Sequence, residues 1–411
     1  MDISFASANP QNAVGEEDCL PQVADVLASM YGGLDNIPVP ASLESGSSIL
    51  QGCLPLLMKE LSSEALLQKV GSKKYERLRV LYHQSSLLNL WYSWEVKRVL
   101  ETLTNAHMPV MVLKGADIAT TLYRHPELRH FSDVDLMVRP ENLGAAIELL
   151  KDLGYHYHQE YRFESVSRQR AAFVYVKEVA AGYIVFEIHT SPHQNEMGVS
   201  FQAAELWERA RPITLESVKV YGMGLEDLLL YLCWHFRSHS FSRLIWLYDI
   251  TVLLLRHAND IDWSKAHAIA KKQGLLSTIY YCVQWCQAVF HISLPEQAQI
   301  EQFAPPALIR RLVAHFVGND FGALLHVGSY HERKILQRLM VDDKPALCQV
   351  VLRACIPSPT HLGRLYMEHS RLPVRLFWLY YPLHPLFMLR AYFKDRSRRK
   401  SMQVDSRARL S

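Results

Sequence analysis

The chain has 411 residues, 49% of them hydrophobic and 21% charged, with a formal net charge of +3. That balance excludes a highly charged disordered chain, makes no electrostatic case for nucleic acid, and leaves room for two or three domains of about 100–200 residues each. Seven scattered cysteines with no CxxC pair argue against a disulfide framework and suit reduced thiols in a cytoplasmic protein.

Residues 1–18 are polar and acidic, and read as a disordered N-terminus without the basic and apolar parts of a signal peptide. Residues 19–107 read as a helical region. Within it Leu88, Tyr92, Val96, Val99 and Leu103 recur at helical spacing. Leu87, Leu90, Trp91 and Trp94 add a second apolar stripe, so this helix is expected to lie sandwiched between neighbours.

The pattern changes at Pro109. "PVMVL" reads as a short buried strand, "ADIATTLYRH" as a short helix and "FSDVDLMV" as a second strand. "ENLGAAIELLKDLG" is a helix closed by Gly154, and "AAFVYVK" and "YIVFEIH" are two strands around the turn "EVAAG". Residues 108–215 are therefore expected to form a small mixed-sheet core of α+β class. From 216 to 390 the chain returns to helices, beginning with "LEDLLLYLCWHFRSHS", "RLIWLYDITVLLLRHA" and "WSKAHAIAKKQGLLSTIYYCVQWCQAVF". The most membrane-like stretch, "LFWLYYPLHPLFML", is broken by Pro382 and Pro385. It is shorter than the roughly 20 residues a spanning helix needs, so no transmembrane segment is expected. Residues 391–411 form a basic flexible tail.

The chemistry sits in the second strand. Asp133 and Asp135 are two apart, so on a strand they share a face. Like charges placed together in an apolar strand require a cation between them. Alternation in "YIVFEIH" puts Glu187 on one face with Val185 and His189, away from Phe186 and Ile188. Three carboxylates on neighbouring strands make an oxygen-rich site for Mg²⁺ or Mn²⁺. Two such ions can clamp a triphosphate and activate a hydroxyl. Upstream, Lys114-Gly115 opens a helix, where glycine lets phosphate approach the backbone.

Lys114-Gly115, Leu122-Tyr123, Arg129, Asp133-Val134-Asp135 and Leu136 together resemble the nucleotidyltransferase fold of the DNA polymerase beta superfamily. More narrowly they resemble the bacterial uncharacterised nucleotidyltransferase family, which has Leu-Lys-Gly where most of the superfamily has Gly-Ser. "FEIHTSPH" resembles that family's third-carboxylate strand, and the "LLLYLCWHFRSHSFSRLIWLYDI" region resembles its helical half. The resemblance covers roughly residues 85–290. It implies transfer of NMP, by default AMP from ATP, to a hydroxyl-bearing acceptor, in peptide or polysaccharide natural-product biosynthesis. Asp133, Asp135 and Glu187 would be the catalytic metal ligands, with Lys114, Gly115 and Arg129 contacting nucleotide. Ala116 supplies no hydroxyl, so Lys114 is expected to meet the phosphates as a point charge. The acceptor, whether peptide, sugar or small molecule, is not implied.

Other readings stand beside this one. The chain could be a silent nucleotide-binding protein of the same fold, or a metal-dependent phosphohydrolase. Asp249, on the helix after Arg243, reads as half of a buried ion pair or as a nucleotide contact, and Arg129 reads equally as the structural partner of an acidic neighbour. His189, His193, His235 and His239 read as structural or substrate-lining residues, and Trp234, Trp246 and Trp285 as core.

Overall fold

The computed structural model describes residues 23, 48–60, 63–158, 172–180, 182–192, 199–317, 330–342, 380–381, 384–387 and 390. The expected disordered N-terminus, the basic tail, His193 and most of the 376–389 stretch lie outside the described residues.

Helices α1 (Ser48–Glu60), α2 (Ser63–Val70) and α3 (Ser72–Asn105) come first. The 34 residues of α3 contain neither glycine nor proline, so nothing breaks its hydrogen-bond ladder. It ends where His107 takes a positive φ of 56°, two residues before Pro109. Tyr92, Val96, Val99 and Leu103 are buried against the sheet, and Leu88 is partly buried. The second stripe is not sandwiched as expected: Leu87, Leu90 and Trp94 are 57%, 68% and 53% exposed. Helical spacing marks a face as apolar but does not supply the neighbour that would cover it.

The mixed core follows in the order β1 (Val110–Val112), α4 (Ala116–Thr121), β2 (Val134–Val138), α5 (Leu143–Asp152), β3 (His156–Tyr157), β4 (Ala172–Val179), β5 (Gly182–His189), α6 (Ala203–Glu208), β6 (Arg211–Leu215) and β7 (Val218–Gly222). The strands form one seven-stranded sheet in the order β3-β4-β5-β2-β1-β7-β6. β2 runs parallel to β5 and antiparallel to β1, while β1 runs parallel to β7. Three strands lay outside the sequence reading. β3 is only two residues long. The β6–β7 hairpin turns through Glu216 and Ser217 with φ of 47° and 71°. It therefore makes a turn with two positive φ values without the Asn-Gly pair that announces one. This hairpin carries the sheet to Gly222, beyond the expected boundary at 215.

Alternation sorts the two faces. Val134, Leu136 and Val138 of β2, with Ile184, Phe186 and Ile188 of β5, point into a core shared with α3 and α5. Met111 and Met137 point the other way, into a larger core built by the helical half. Asp135 and Glu187 share that second face by period two. The helical half comprises α7 (Leu225–Ser238), α8 (Leu244–His257), α9 (Trp263–Gln273), α10 (Leu276–Phe290), α11 (Ala307–Val317) and α12 (Tyr330–Leu339). Gly274, at φ 68°, ends α9 and separates it from α10 within the long run that began at Trp263. The protein is of α+β class, with helical regions on both sides of its mixed sheet in the chain. No helix among the described residues is long and apolar enough to cross a membrane.

Candidate active site

The parallel pairing of β2 with β5 places Asp135 directly opposite Glu187 and Met137 opposite His189. One oxygen from Asp135, one from Glu187 and one ring nitrogen from His189 lie within 4.8 Å of one another. His189 Nε2 is 3.0 Å from Asp135 Oδ1 and 3.6 Å from Glu187 Oε2. Lys114, at the end of β1, reaches the same place: its Nζ is 3.2 Å from Asp135 Oδ2 and 3.6 Å from Asp133 Oδ2. Asp135 and His189 are fully buried, Glu187 is 25% exposed at its side chain, and Asp133 is 31% exposed.

These neighbours set the charges. Burial alone would favour neutral Asp135, but Lys114 and His189 outweigh it and hold the carboxyl well below the usual range. Burial disfavours charge on Lys114 too, yet Asp135 and Asp133 raise its pKa above the ordinary value. For His189, burial is again overcome, here by hydrogen bonds to Asp135 and Glu187, and the imidazole is raised to about 9. Burial pushes the Glu187 carboxyl up, opposed by the His189 hydrogen bond and reinforced by Asp135 and Asp133.

The expected cage of three carboxylates is altered in one respect. Asp133 is outside the compact cluster and His189 is inside it. Asp133 lies one residue before the β2 ladder begins, and its carboxylate faces Lys114. His189 could have been found from sequence, since it shares the Glu187 face at i+2. A histidine at a strand end, however, is more often a core residue than a ligand.

Gly115 adopts φ 34° and ψ −86°. A Cβ there would sit 3.4 Å from the Phe131 Cβ and 3.5 Å from the Asp133 carbonyl oxygen. Those are ordinary contacts, so it is the positive φ, which L side chains rarely adopt, that calls for glycine at this turn. The helix it opens, α4, has only six residues, and its first-turn Asp117 is buried against Arg211 at 2.9 Å.

Arg129 has an acidic partner. It is buried, and its Nε and Nη2 donate to Asp249 Oδ1 and Oδ2 at 2.8 and 2.9 Å. Tyr123 donates to the same carboxylate at 2.8 Å. This fork-on-fork ion pair ties the loop before β2 to α8, the structural role weighed for Arg129 beside a nucleotide contact. Asp249 is half of a buried pair, and its partner is Arg129.

Helix α7 closes the site from the other side. The Tyr231 hydroxyl is fully buried, has no hydrogen-bond partner among the described residues, and feels Lys114, Asp135 and Glu187. One and two turns on, His235 and His239 pack ring to ring at 4.6 Å, and both touch the Trp246 ring at 4.7 and 4.9 Å. Burial, with Lys114 nearby, lowers His239 to about 4. Of the tryptophans expected in the core, Trp234 and Trp285 are buried, whereas Trp246 is half-buried against these histidines.

Paired strand carboxylates, a buried lysine and a helix facing them form one concentrated cluster of charge. The chain belongs to the uncharacterised nucleotidyltransferase family, whose profile matches residues 48–291, and it is accordingly a transferase. No curated protein matches it. Among solved structures, it is similar to the antibiotic-resistance factor ANT(2'')-Ia in solution, at 11% identity over 47% of this chain and 94% of that one, with a TM-score of 0.31. The crystal structure of ANT(2'')-Ia with adenylyl-2''-tobramycin gives 13% identity, 44% and 95% coverage and a TM-score of 0.31. An antigenic nucleotidyltransferase-like protein from Paracoccidioides brasiliensis gives 16%, 49% and 96%, and 0.28. Likenesses this distant say nothing of this chain's substrates.

Proposed function

We propose that the protein transfers AMP from ATP to a hydroxyl-bearing acceptor in a divalent-metal-dependent reaction. The observation that carries this reading is the register of β2 and β5, which sets Asp135 beside Glu187 on a buried face. The donor set fits a hard cation: carboxylate oxygens from Asp135 and Glu187, a ring nitrogen from His189, and Asp133 adjoining. These residues would hold Mg²⁺ or Mn²⁺, which when bound neutralises phosphate charge and lowers the pKa of the attacking hydroxyl.

The chain's own residues supply the rest. Glu187, whose carboxyl burial raises, is placed to take the acceptor proton. Lys114 can turn from Asp135 and Asp133 to the triphosphate, adding one positive charge where negative charge accumulates. His189 holds Asp135 and Glu187 in fixed orientation. Helices α7 and α8 form the opposite wall and select the acceptor, a peptide, sugar or small molecule of natural-product biosynthesis. The protein would act in the cytoplasm, where the four buried cysteines among the described residues stay reduced.

The test is pyrophosphate release from ATP and Mg²⁺ with a panel of hydroxyl-bearing acceptors. Acceptor-dependent pyrophosphate and an adenylylated product support the assignment. ATP binding without turnover on any acceptor would favour a silent binding protein, and release of inorganic phosphate without acceptor would favour a phosphohydrolase.

A further inference from the structure

Arg243 stands immediately before α8, on the segment that joins the two helices facing the carboxylates. It is half-buried. Among the described residues its guanidinium has neither a carboxylate within ion-pair distance nor a hydrogen-bond acceptor. Among the described residues its close partner is an aromatic face, with Cζ 4.9 Å from the Trp246 ring centroid. The cations at the carboxylate cluster and behind it have anions: Lys114 has Asp135 and Asp133, Arg129 has Asp249, and His189 has Asp135 and Glu187. A cation removed from water without a counter-charge is unfavourable, and the aromatic face offsets only part of that loss. Burial lowers the guanidinium pKa from its ordinary value, with Asp133 opposing and Arg129 adding repulsion.

The position of Arg243 says which anion would suit it. The guanidinium lies near enough to feel Asp133. The Trp246 ring beneath it touches His239, which in turn feels both Lys114 and Arg243. Lys114 and Arg243 therefore both act on Asp133, whose carboxylate is 31% exposed to the space in front of it. A polyphosphate entering that space carries several oxygens, each able to accept from a guanidinium, whose planar fork grips two at once.

We propose that Arg243 is the guanidinium that binds the polyphosphate of the nucleotide at this site, acting with Lys114, in the place that the sequence suggested for Arg129. This rests on the nucleotidyltransfer reading and assigns that reading its second phosphate cation. Three features converge on it: a half-buried arginine without an anion, its location at the carboxylate cluster, and the commitment of Arg129 to Asp249.

The experiment is titration calorimetry on the full chain with Mg–ATP, magnesium pyrophosphate and AMP, comparing wild type, Arg243→Gln and Arg243→Lys. Arg243→Gln should weaken ATP and pyrophosphate by about 10-fold or more, as expected for lost charge-assisted hydrogen bonds. AMP binding should change by less than about twofold, since AMP lacks the terminal phosphates. Arg243→Lys should fall between, because an ammonium keeps the charge and loses the fork. The ligand-free melting temperature of Arg243→Gln should equal or exceed that of wild type, because an unpaired cation is removed. Should Arg243→Gln fail to fold, Arg243→Lys carries the test through the same contrast of ATP against AMP. Wild-type affinity for ATP and pyrophosphate in the variants, with a lowered ligand-free melting temperature, would make Arg243 a structural partner of Trp246 and overturn the proposal. If wild type itself binds neither ATP nor pyrophosphate, the nucleotidyltransfer reading falls with it. If wild type releases pyrophosphate and Arg243→Gln does so at unchanged KM for ATP, only the role of Arg243 is lost.

Discussion

Replacing Asp135 by asparagine tests the electrostatics of the cluster most directly. Considered as two aspartates side by side, the pair Asp133 and Asp135 should repel, and neutralising one should stabilise the metal-free protein. The structure reverses that sign for Asp135. Its carboxylate lies between two cations, His189 Nε2 at 3.0 Å and Lys114 Nζ at 3.2 Å, with its own side chain fully buried. The neutral amide of Asp135→Asn would leave both cations short of their main partner. Removing one member of a buried pair costs about 3–5 kcal/mol. Relief of repulsion from Asp133, which is 31% exposed, offsets ~1 kcal/mol at most, since partly solvated charges interact weakly. The net expectation is a loss of about 2–4 kcal/mol. Urea unfolding of the metal-free protein at pH 7 should show the midpoint falling with an unchanged slope. Asp133→Asn is the internal control: it gives up one partly exposed 3.6 Å contact, and its effect should stay within about 1 kcal/mol of zero. Both variants should lose nucleotidyl transfer. An Asp135→Asn protein as stable as wild type, or more stable, would refute the view that Lys114 and His189 dominate the cluster.

His189 carries a pH dependence of definite sign. Its pKa rises from 6.5 to about 9 on folding, so its stabilisation is fully present below pH 6.5 and is lost as pH climbs through 9, by about 3 kcal/mol in all. Urea midpoints at pH 6, 8 and 10 should fall accordingly in wild type and show a smaller decline in His189→Gln. Arg129→Met should destabilise by about 3–5 kcal/mol by stranding Asp249 in the core, and the double variant Arg129→Met/Asp249→Leu should recover most of that loss in a double-mutant cycle. Lys114→Met should weaken Mg–ATP binding by about 1.5–3 kcal/mol in calorimetry. It should also lower stability, because Asp135 loses its lysine; unchanged ATP affinity would make Lys114 purely a counter-ion.

What could be read from the sequence was what depends on neighbours along the chain. The two-residue period put Asp133 with Asp135, and Glu187 with His189, each pair on one strand face. The Lys-Gly before a helix marked a tight turn, and Gly115 does make it, at φ 34°. The runs "LEDLLLYLCWHFRSHS" and "RLIWLYDITVLLLRHA" announced α7 and α8 nearly to the residue. Everything that required two distant segments to meet was decided by tertiary structure. Strand pairing selects a partner and a register from many sterically allowed choices, and only packing of both sheet faces settles on Asp135 opposite Glu187. The partner of Arg129 lies 120 residues away, so the arginine looked as suited to phosphate as to Asp249. The stripe of Leu87, Leu90 and Trp94 has the same spacing whether covered or bare. Arg243 was one charge among many in a helical run, and its isolation became visible only when partial burial coincided with the lack of a carboxylate within ion-pair distance among the described residues. Local periodicity encodes which way a side chain points; the energy of a buried charge depends on what it meets there.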